Sequence, residues 1–267
     1  MFAIIDAIAL PRNRFKRFFG RFDRSLGVSA EEIPDFKVSA LSVNIAGFSD
    51  EKERLTEKRY IAAAELILGS GITEVIYPEG LAHSRIFHES GLRLPDRKKL
   101  LTGAAGLIAE KCLEETKGGA VSIFATRASS DLDRAVRYLA PRVGKLSICL
   151  RSGGEGYCES LRFDYGLSVN MTAEVACTAD FYIIYQPPAA ELKVTKRPRA
   201  LVLCEEYTNE GLTAVEDVLV DTADPYEKFN GYDRQTLLTA LYGAGAIKNE
   251  DIRVEEIIYC PPTKPCV

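Results

Sequence analysis

Short apolar runs alternate with longer amphipathic segments along the first part of the chain, which is the pattern of strands separated by helices. Apolar runs that predict strands lie at residues 2–10, 36–46 and 72–77. Apolar residues at helical spacing predict helices at 51–68, 82–89 and 96–116. A strand, a helix and a second strand in this order are typical of a parallel βαβ unit.

The alternation becomes stricter from residue 120 onward. Strands are predicted at 120–125, 145–150, 167–171, 179–185, 200–204, 217–220 and 252–258. Helices are predicted at 129–140, 156–165 and 233–242. Strands that are apolar almost throughout, with helices of about ten or more residues between them, indicate a parallel sheet covered on both faces.

This pattern predicts an α/β protein with two domains that join near the double glycine Gly118–Gly119. Residues 1–118 would form a smaller α/β domain. Residues 119–267 would form a Rossmann-like domain with a mostly parallel sheet and a C-terminal helix–strand extension. The cleft between two such domains is the default place for a small-molecule or nucleotide ligand.

Composition narrows the class of protein only slightly. With 46% hydrophobic and 27% charged residues, the chain of 267 residues has ordinary globular values, which excludes the disordered and fibrous classes. No run approaches the ~18 apolar residues that a membrane-spanning helix needs, so we expect the chain to stay in the cytoplasm. The seven cysteines include no C-x-x-C pair and fit a reduced compartment. Neither histidine has cysteines at ligand spacing, so no metal site is expected.

Charge is concentrated in one stretch near the start of the chain. The net charge of the whole chain is −4, which gives no reason to expect nucleic acid as a partner. Residues 11–24 nevertheless hold six basic residues and one acid, a net +5, and their phenylalanines recur at helical spacing. This predicts a helix at 12–24 that either buries its phenylalanines in the core or binds a partner or an anionic ligand. No oligomeric state is indicated.

Residues 120–188 have the order of elements of a dinucleotide-binding half, and the loop after the first strand is the first candidate site. This loop carries Thr126, Arg127, Ser129 and Ser130. A tight loop from a strand into a helix aims the N-terminal amides of the helix at a phosphate group. The same serines also fit a plain helix cap.

The second strand of this half runs directly into Arg151 and Ser152. At this strand tip an acid suits a ribose 2′-hydroxyl, whereas an arginine suits a 2′-phosphate through bidentate hydrogen bonds. Gly153 and Gly154 follow and open a helix, in a loop whose backbone can come close to a ligand. The tip therefore indicates NADP(H) rather than NAD(H).

The span from Lys145 to Gly166 is similar to the second βα unit of glutamyl-tRNA reductases and shikimate dehydrogenases. In those families the strand runs into Asn-Arg-Thr and the helix ends in Phe-Gly, and here Leu150-Arg151-Ser152 and Tyr165-Gly166 occupy those places. Residues 179–189 look like the fourth strand of the same fold. The resemblance implies an NADP-dependent oxidoreductase with the 2′-phosphate at Arg151 and Ser152 and the nicotinamide beside Gln186.

The chain departs from those families where they bind the pyrophosphate. They carry a glycine fingerprint after the first strand, whereas residues 125–130 of this chain include no glycine, and β carbons there obstruct a close approach. Asp131 and Asp133 add negative charge that repels phosphate. Two hypotheses stay open: an NADP-dependent oxidoreductase of the shikimate dehydrogenase type, and a Rossmann-like ligand-binding or interaction module that has lost the cofactor.

Catalytic residues do not carry over from those families, so enzymatic activity is left open and two residues are named as candidates. His83 follows the third predicted strand, and an imidazole can act as acid or base near neutral pH, although a solvated surface role is the simpler interpretation. Asp96 lies roughly where shikimate dehydrogenases have a substrate-binding acid. A helix N-cap explains Asp96 equally well.

Overall fold

A computed structural model describes residues 1–9, 28–32, 40–47, 53–166, 179–188, 192, 194, 197–205, 207, 209–222, 229 and 231–260 of the chain. The chain divides into two units. The first consists of Met1–Arg97 and Asp224–Lys248, and the second of Lys98–Ala223 and Asn249–Val267. The predicted basic helix at 12–24 and the predicted strand at 167–171 lie outside the described residues.

The described residues form ten strands and seven helices. The strands are β1 (Phe2–Ala9), β2 (Val28–Glu32), β3 (Ala40–Gly47), β4 (Val75–Ile76), β5 (Ala120–Ala125), β6 (Lys145–Leu150), β7 (Phe181–Ile184), β8 (Arg199–Val202), β9 (Thr213–Thr222) and β10 (Ile252–Tyr259). The helices are α1 (Glu53–Gly69), α2 (Arg85–Glu89), α3 (Arg97–Gly103), α4 (Ala105–Thr116), α5 (Ser130–Leu139), α6 (Glu155–Tyr165) and α7 (Arg234–Gly243). None of these helices is both long enough and apolar enough to cross a membrane.

The first unit contains a four-stranded sheet in the order β2-β3-β1-β4. Strands β3, β1 and β4 run parallel, and β2 pairs antiparallel with β3 at the edge. Because side chains alternate across a strand, one face of β1 presents Ala3 and Ile5, which pack with Ala63, Ala64 and Ile67 of α1. All five of these residues are fully buried.

The second unit contains a six-stranded sheet in the order β10-β9-β8-β7-β5-β6. Every neighbouring pair from β6 to β9 is parallel, and only β10 runs antiparallel to its neighbour β9. The inner strands β5 and β7 are buried almost throughout, as their unbroken apolar sequences predict. The prediction of an α/β fold with a mostly parallel, Rossmann-like sheet is confirmed.

The division between the units lies at Arg97–Lys98, whereas the sequence pattern suggested a boundary at Gly118. The predicted helix at 96–116 is two helices, α3 and α4, interrupted at Ala104. Helix α4 packs against α5, β7, β8 and β10 of the second unit, so it belongs with the sheet that it covers. Helix α7, which the sequence pattern assigned to the C-terminal extension, belongs to the first unit and contacts β4.

Among the described residues, four cysteines form no disulfide bond: Cys112 and Cys158, which are buried, and Cys149 and Cys204, which are half-buried. Burial raises the pKa of the Cys112 and Cys158 thiols, which keeps them protonated and unreactive. Cys260 differs, because it is disulfide-bonded. The sequence suggested a reducing compartment, and this disulfide departs from that expectation.

The end of α4 uses a lysine where a glycine was expected. Lys117 is the C-cap and adopts a left-handed conformation with φ of 52°. Such a conformation brings the β carbon of a non-glycine residue close to the following carbonyl. Gly118, which the sequence pattern suggested as the helix end, donates its amide to the carbonyl of Leu113, 3.0 Å away.

Replacing Lys117 by glycine is therefore expected to raise the free energy of unfolding by about 0.5–1 kcal/mol, because glycine adopts the left-handed region without the steric cost. The substitution Lys117→Ala is the matched control, since it removes the same side chain but keeps the β carbon, and no gain is expected from it. Urea unfolding of both variants measures the difference. Equal stability of the two variants would contradict this account of the cap.

Helices α4 and α5 are joined by a polar contact around Tyr138. The hydroxyl of Tyr138 donates a hydrogen bond to the carboxylate of Glu110. The guanidinium of Arg142 lies 4.0 Å from the ring centroid of Tyr138, and its Nε is 3.4 Å from Oε1 of Glu110. Burial, reinforced by Glu110, raises the pKa of Tyr138 to about 12.

The stability of the fold is expected to depend on the protonation of Tyr138 at alkaline pH. The pKa of Tyr138 is about 12 in the folded chain, against an ordinary value of 10.0, so folding favours the protonated phenol. Its contribution is fully present below pH 10 and is lost as pH rises towards 12. Unfolding free energies measured across this window should fall more steeply for the wild type than for Tyr138→Phe. Parallel curves for the two proteins would rule this contribution out.

Candidate functional site

The carboxyl ends of β5, β6 and β7 lie side by side in the second unit, with β5 in the middle. The chain leaves β5, crosses through α5 to β6 on one side, and reaches β7 on the other side. Strand order that reverses in this way opens a crevice at the carboxyl end of the central strand, where open α/β sheets bind ligands. We call the residues that follow these three strands, 126–129, 151–154 and 185–188, the carboxyl edge.

The first segment of the carboxyl edge is the loop between β5 and α5. Thr126 and Arg127 are exposed there, and so is Ser130 at the start of the helix. Ser129 is the N-cap of α5, and its Oγ accepts a hydrogen bond of 3.2 Å from the amide of Leu132. The hydroxyl of Ser129 thus already satisfies one N-terminal amide of the helix that a phosphate would otherwise use.

The second segment, after β6, is fixed onto the first by hydrogen bonds. The amide of Arg151 donates to the carbonyl of Ala125 over 3.2 Å. The carbonyl of Thr126 accepts two bonds from Ser152, one of 3.0 Å from its amide and one of 3.2 Å from its hydroxyl. The parallel ladder between β5 and β6 therefore continues past both strands, and it holds Arg151 and Ser152 at the end of β5.

The side chain of Arg151 reaches the third segment, after β7. Its Nη2 donates a hydrogen bond of 2.8 Å to the carbonyl of Pro187, whose position is 36 residues further along the chain. Since β5 lies between β6 and β7, the guanidinium bridges the end of β5. Gln186, next to this acceptor, is exposed. The structure therefore brings Thr126, Ser152, Arg151 and the 186–187 pair to one edge of the sheet.

Two glycines shape the start of α6. Gly153 has a left-handed φ of 64°, which glycine adopts without strain, and a β carbon on it would meet no atom within 4 Å. Gly154 is the N-cap of α6 and contributes no side-chain cap. The loop beside Arg151 therefore presents bare backbone to open space at Gly153, whereas Gly154 is buried.

Two acids occupy the first turn of α5, and both pair with arginines of the same helix. Nη1 of Arg134 lies 3.2 Å from Oδ1 of Asp131, and Nε of Arg137 lies 2.6 Å from Oδ2 of Asp133. The hydroxyl of Tyr157 also donates to Oδ1 of Asp133 over 3.1 Å and so joins α6 to α5. Burial, reinforced by the charge of Asp133, raises the pKa of Tyr157, so the phenol stays protonated as a donor.

The two catalytic candidates, His83 and Asp96, belong to the first unit. His83 is half-buried with a left-handed φ of 60°, and its ring lies edge-on to Tyr60 with centroids 5.5 Å apart. This packing gives His83 a structural contact that its sequence neighbours did not indicate. Asp96 is exposed directly before α3.

A polar cluster in the sheet of the first unit was not predicted. Tyr232 donates its hydroxyl to the carbonyl of Ile5 over 2.6 Å and to the carboxylate of Asp6. Asn44 lies opposite Asp6 in the register of β1 and β3. Burial, with Asp6 beside it, raises the pKa of Tyr232. The polar residues inside two apolar strands were the only sequence signal for this cluster.

In the described part of the chain, no three histidine, cysteine, aspartate or glutamate side chains come together in a group able to hold a metal ion. At the carboxyl edge the described residues could hold an anionic ligand, because Arg151 supplies positive charge there and Ser152 a hydroxyl.

Comparisons with known proteins identify no family. No family model matches the chain, and no curated protein matches it. Solved structures that match include L-tryptophan dehydrogenase from Nostoc punctiforme, at 12% identity over 68% of this chain and 54% of that one, with a TM-score of 0.27. A shikimate 5-dehydrogenase-like protein matches at 12% identity over 69% of this chain and 65% of its own, with a TM-score of 0.24. A shikimate dehydrogenase from Peptoclostridium difficile matches at 11% identity over 78% of both chains, with a TM-score of 0.25.

The chain spans about half the length of the tryptophan dehydrogenase. Matches at this level of identity leave the function to be inferred from the residues of this chain.

Proposed function

We propose that the second unit binds NADP(H) at its carboxyl edge, with the 2′-phosphate of the adenosine ribose on Arg151 and Ser152. The observation that carries this proposal is the pair of hydrogen bonds from the Arg151 and Ser152 amides to the carbonyls of Ala125 and Thr126. They hold a guanidinium and a hydroxyl at the strand tip next to the crevice. In folds of this type that tip faces the adenosine ribose, and an arginine there favours a 2′-phosphate.

The remaining candidates have subsidiary roles in this proposal. Thr126, Arg127, Ser129 and Ser130 would face the pyrophosphate, and Gln186 would lie beside the nicotinamide. When bound, the cofactor supplies hydride transfer, which would make the protein an oxidoreductase of the shikimate dehydrogenase type. His83 and Asp96 stay candidates for handling a proton or a substrate.

A second candidate function is a ligand-binding or interaction module that has lost the cofactor. The observation that favours it is the condition of the β5–α5 loop, which has no glycine from 125 to 130 and whose Ser129 already caps the helix. A dinucleotide site that has lost its glycines loses the close approach of the backbone to the pyrophosphate. Such a protein would keep the fold without the reaction.

Titration of the purified chain with NADPH and with NADH separates the two candidates. Binding to the folded state stabilises it by RT ln(1 + [L]/Kd), so the melting temperature rises with the logarithm of the ligand concentration once this exceeds Kd. We expect NADPH to raise it and NADH at the same concentration to raise it much less, because NADH lacks the 2′-phosphate. No shift with either nucleotide at about 1 mM would remove the NADP(H) proposal and favour the module.

A further inference from the structure

We infer that the carboxyl edge recognises a phosphomonoester on the adenosine ribose and gains little from a pyrophosphate. This inference rests on the proposed function and makes it more specific. It means that adenosine 2′-monophosphate, which has no pyrophosphate and no nicotinamide, contains most of what the site binds. Three features of the β5–α5 loop and one feature of the β6–α6 loop support it.

The first feature is the use of an N-terminal amide of α5 within the protein. The amide of Leu132 donates to Oγ of Ser129 over 3.2 Å. A helix N-terminus binds a phosphate through amides that have no partner inside the chain. Ser129 thus takes up one donor that a pyrophosphate would otherwise use.

The second feature is charge. Asp131 and Asp133 both lie in the first turn of α5. Their carboxylates stabilise the positive end of the helix dipole, and a pyrophosphate that approached would meet two negative groups there. Arg134 and Arg137 pair with these acids on the same helix, so these arginines neutralise the acids instead of supplying free positive charge.

The third feature is the fixed backbone of the loop. Thr126 and Arg127 carry β carbons where dinucleotide sites have glycine, which hinders the approach of a pyrophosphate. The Thr126 carbonyl accepts hydrogen bonds from both the amide and the hydroxyl of Ser152. Moving the loop aside to admit a pyrophosphate would break both bonds.

The β6–α6 loop offers the opposite conditions. Arg151 is exposed, and its described contact with Pro187 uses Nη2, whereas a guanidinium has five N–H donors in a planar fork. Gly153 beside it has open space where a β carbon would be. A phosphomonoester can therefore take a bidentate pair of bonds from Arg151 at this end of the edge. Donors and room are therefore found together where a 2′-phosphate would lie.

Isothermal titration of the full chain with NADP⁺, adenosine 2′-monophosphate and adenosine 5′-monophosphate tests the inference. We expect Kd values for NADP⁺ and adenosine 2′-monophosphate within about threefold of each other, and binding of the 5′-isomer at least about tenfold weaker. The 5′-isomer is the matched control, because it differs only in the position of the phosphate.

Two variants sharpen the measurement. Asp131→Asn removes one negative charge from the first turn of α5, and we expect it to tighten NADP⁺ about three- to tenfold while it leaves adenosine 2′-monophosphate unchanged. Lys145→Ala removes an exposed cation at the start of β6, the opposite end of this strand from Arg151, and we expect both affinities to change less than about twofold. The melting temperature of each variant shows that it is folded.

The outcomes distinguish this inference from the proposed function. If NADP⁺ binds more than about thirtyfold more tightly than adenosine 2′-monophosphate, the pyrophosphate contributes, and the inference fails while the proposed function stands. If the two adenosine monophosphates bind with equal Kd values, the site recognises the adenosine and not the position of the phosphate, and the inference fails. If no nucleotide binds to the folded chain, the proposed function fails and the inference fails with it.

Discussion

Replacing Arg151 by alanine is expected to weaken NADPH binding about 30- to 100-fold, because a bidentate, charge-assisted bond from arginine to phosphate contributes ~2–3 kcal/mol. NADH binding should change less than about threefold, since NADH has no phosphate at this position. Calorimetric titration of the wild type and the variant with both nucleotides gives the four affinities that are needed. The selectivity for NADPH should disappear in the variant.

Two further variants control this experiment. Arg151→Lys keeps the positive charge but loses the planar fork, so we expect a loss of about three- to tenfold, between the wild type and alanine. Arg127→Ala removes another exposed cation of the carboxyl edge. If Arg127→Ala weakens NADPH as much as Arg151→Ala does, the phosphate does not lie on Arg151, and the assignment of the strand tip is wrong.

The stability of the Arg151→Ala protein should stay close to that of the wild type. Arg151 is exposed, and the described contact of its guanidinium is one hydrogen bond to the carbonyl of Pro187. An exposed bond of this kind contributes about 1 kcal/mol or less. A loss of NADPH binding can therefore be attributed to the missing contact with the nucleotide, and a thermal melt verifies this.

The strands of the second sheet could be predicted from sequence where burial alone decides the structure. The bounds of β5 and β6 are those expected, because each is a short apolar run with polar or glycine residues on both sides.

The sheet of the first unit was predicted less well. Strand β2 was missed, because Val28–Glu32 contains no apolar run and forms a strand only by pairing with β3. Strand β4 is shorter than predicted, because its register with β1 covers only two residue pairs.

The division of the chain could not be predicted from local pattern. Gly118–Gly119 resembled a linker, and helical periodicity ran continuously from 96 to 116. The assignment of α4 depends on which sheet its buried face covers, and that face includes Ile108, Ala109 and Cys112. An apolar helix face fits either sheet until the tertiary packing selects one.

The part of the candidate site that follows from the register of parallel strands could be predicted, and the side-chain contacts within it could not. Ala125 lies opposite Leu150 in the parallel pair, so the residues after these two strands had to come together. The Arg151 side chain donates to a main-chain carbonyl, and because every residue has such a carbonyl, the sequence does not show which one accepts the bond. The contact of Tyr232 with Asp6 joins residues 226 positions apart, and sequence pattern contains no signal for such a pair.

The other large effect is expected at Gly118, which the close approach of Asp180 requires to be glycine. A β carbon at position 118 would lie 2.7 Å from Cβ of Asp180. Asp180 has little freedom to move, because its Oδ2 accepts hydrogen bonds of 2.9 Å and 3.0 Å from the amides of Gly119 and Ala120. Its own amide donates to the carbonyl of Ala120 over 2.9 Å. Asp180 thereby holds the starts of β5 and β7 together.

Gly118→Ala is therefore expected to lower the free energy of unfolding by about 2–3 kcal/mol, the sum of overpacking and the weakening of at least one hydrogen bond. Gly119→Ala is the matched control, because a β carbon at the neighbouring position meets no atom within 4 Å, and its effect should be below about 1 kcal/mol in either direction. Urea unfolding of both variants measures these values.

The double variant Gly118→Ala/Asp180→Ala tests the cause. Its loss in free energy of unfolding should be smaller than the two single losses combined, because removing the Asp180 carboxylate also removes part of the clash. Strict additivity, or a Gly118→Ala protein as stable as Gly119→Ala, would show that Asp180 turns away at little cost and that position 118 tolerates a side chain.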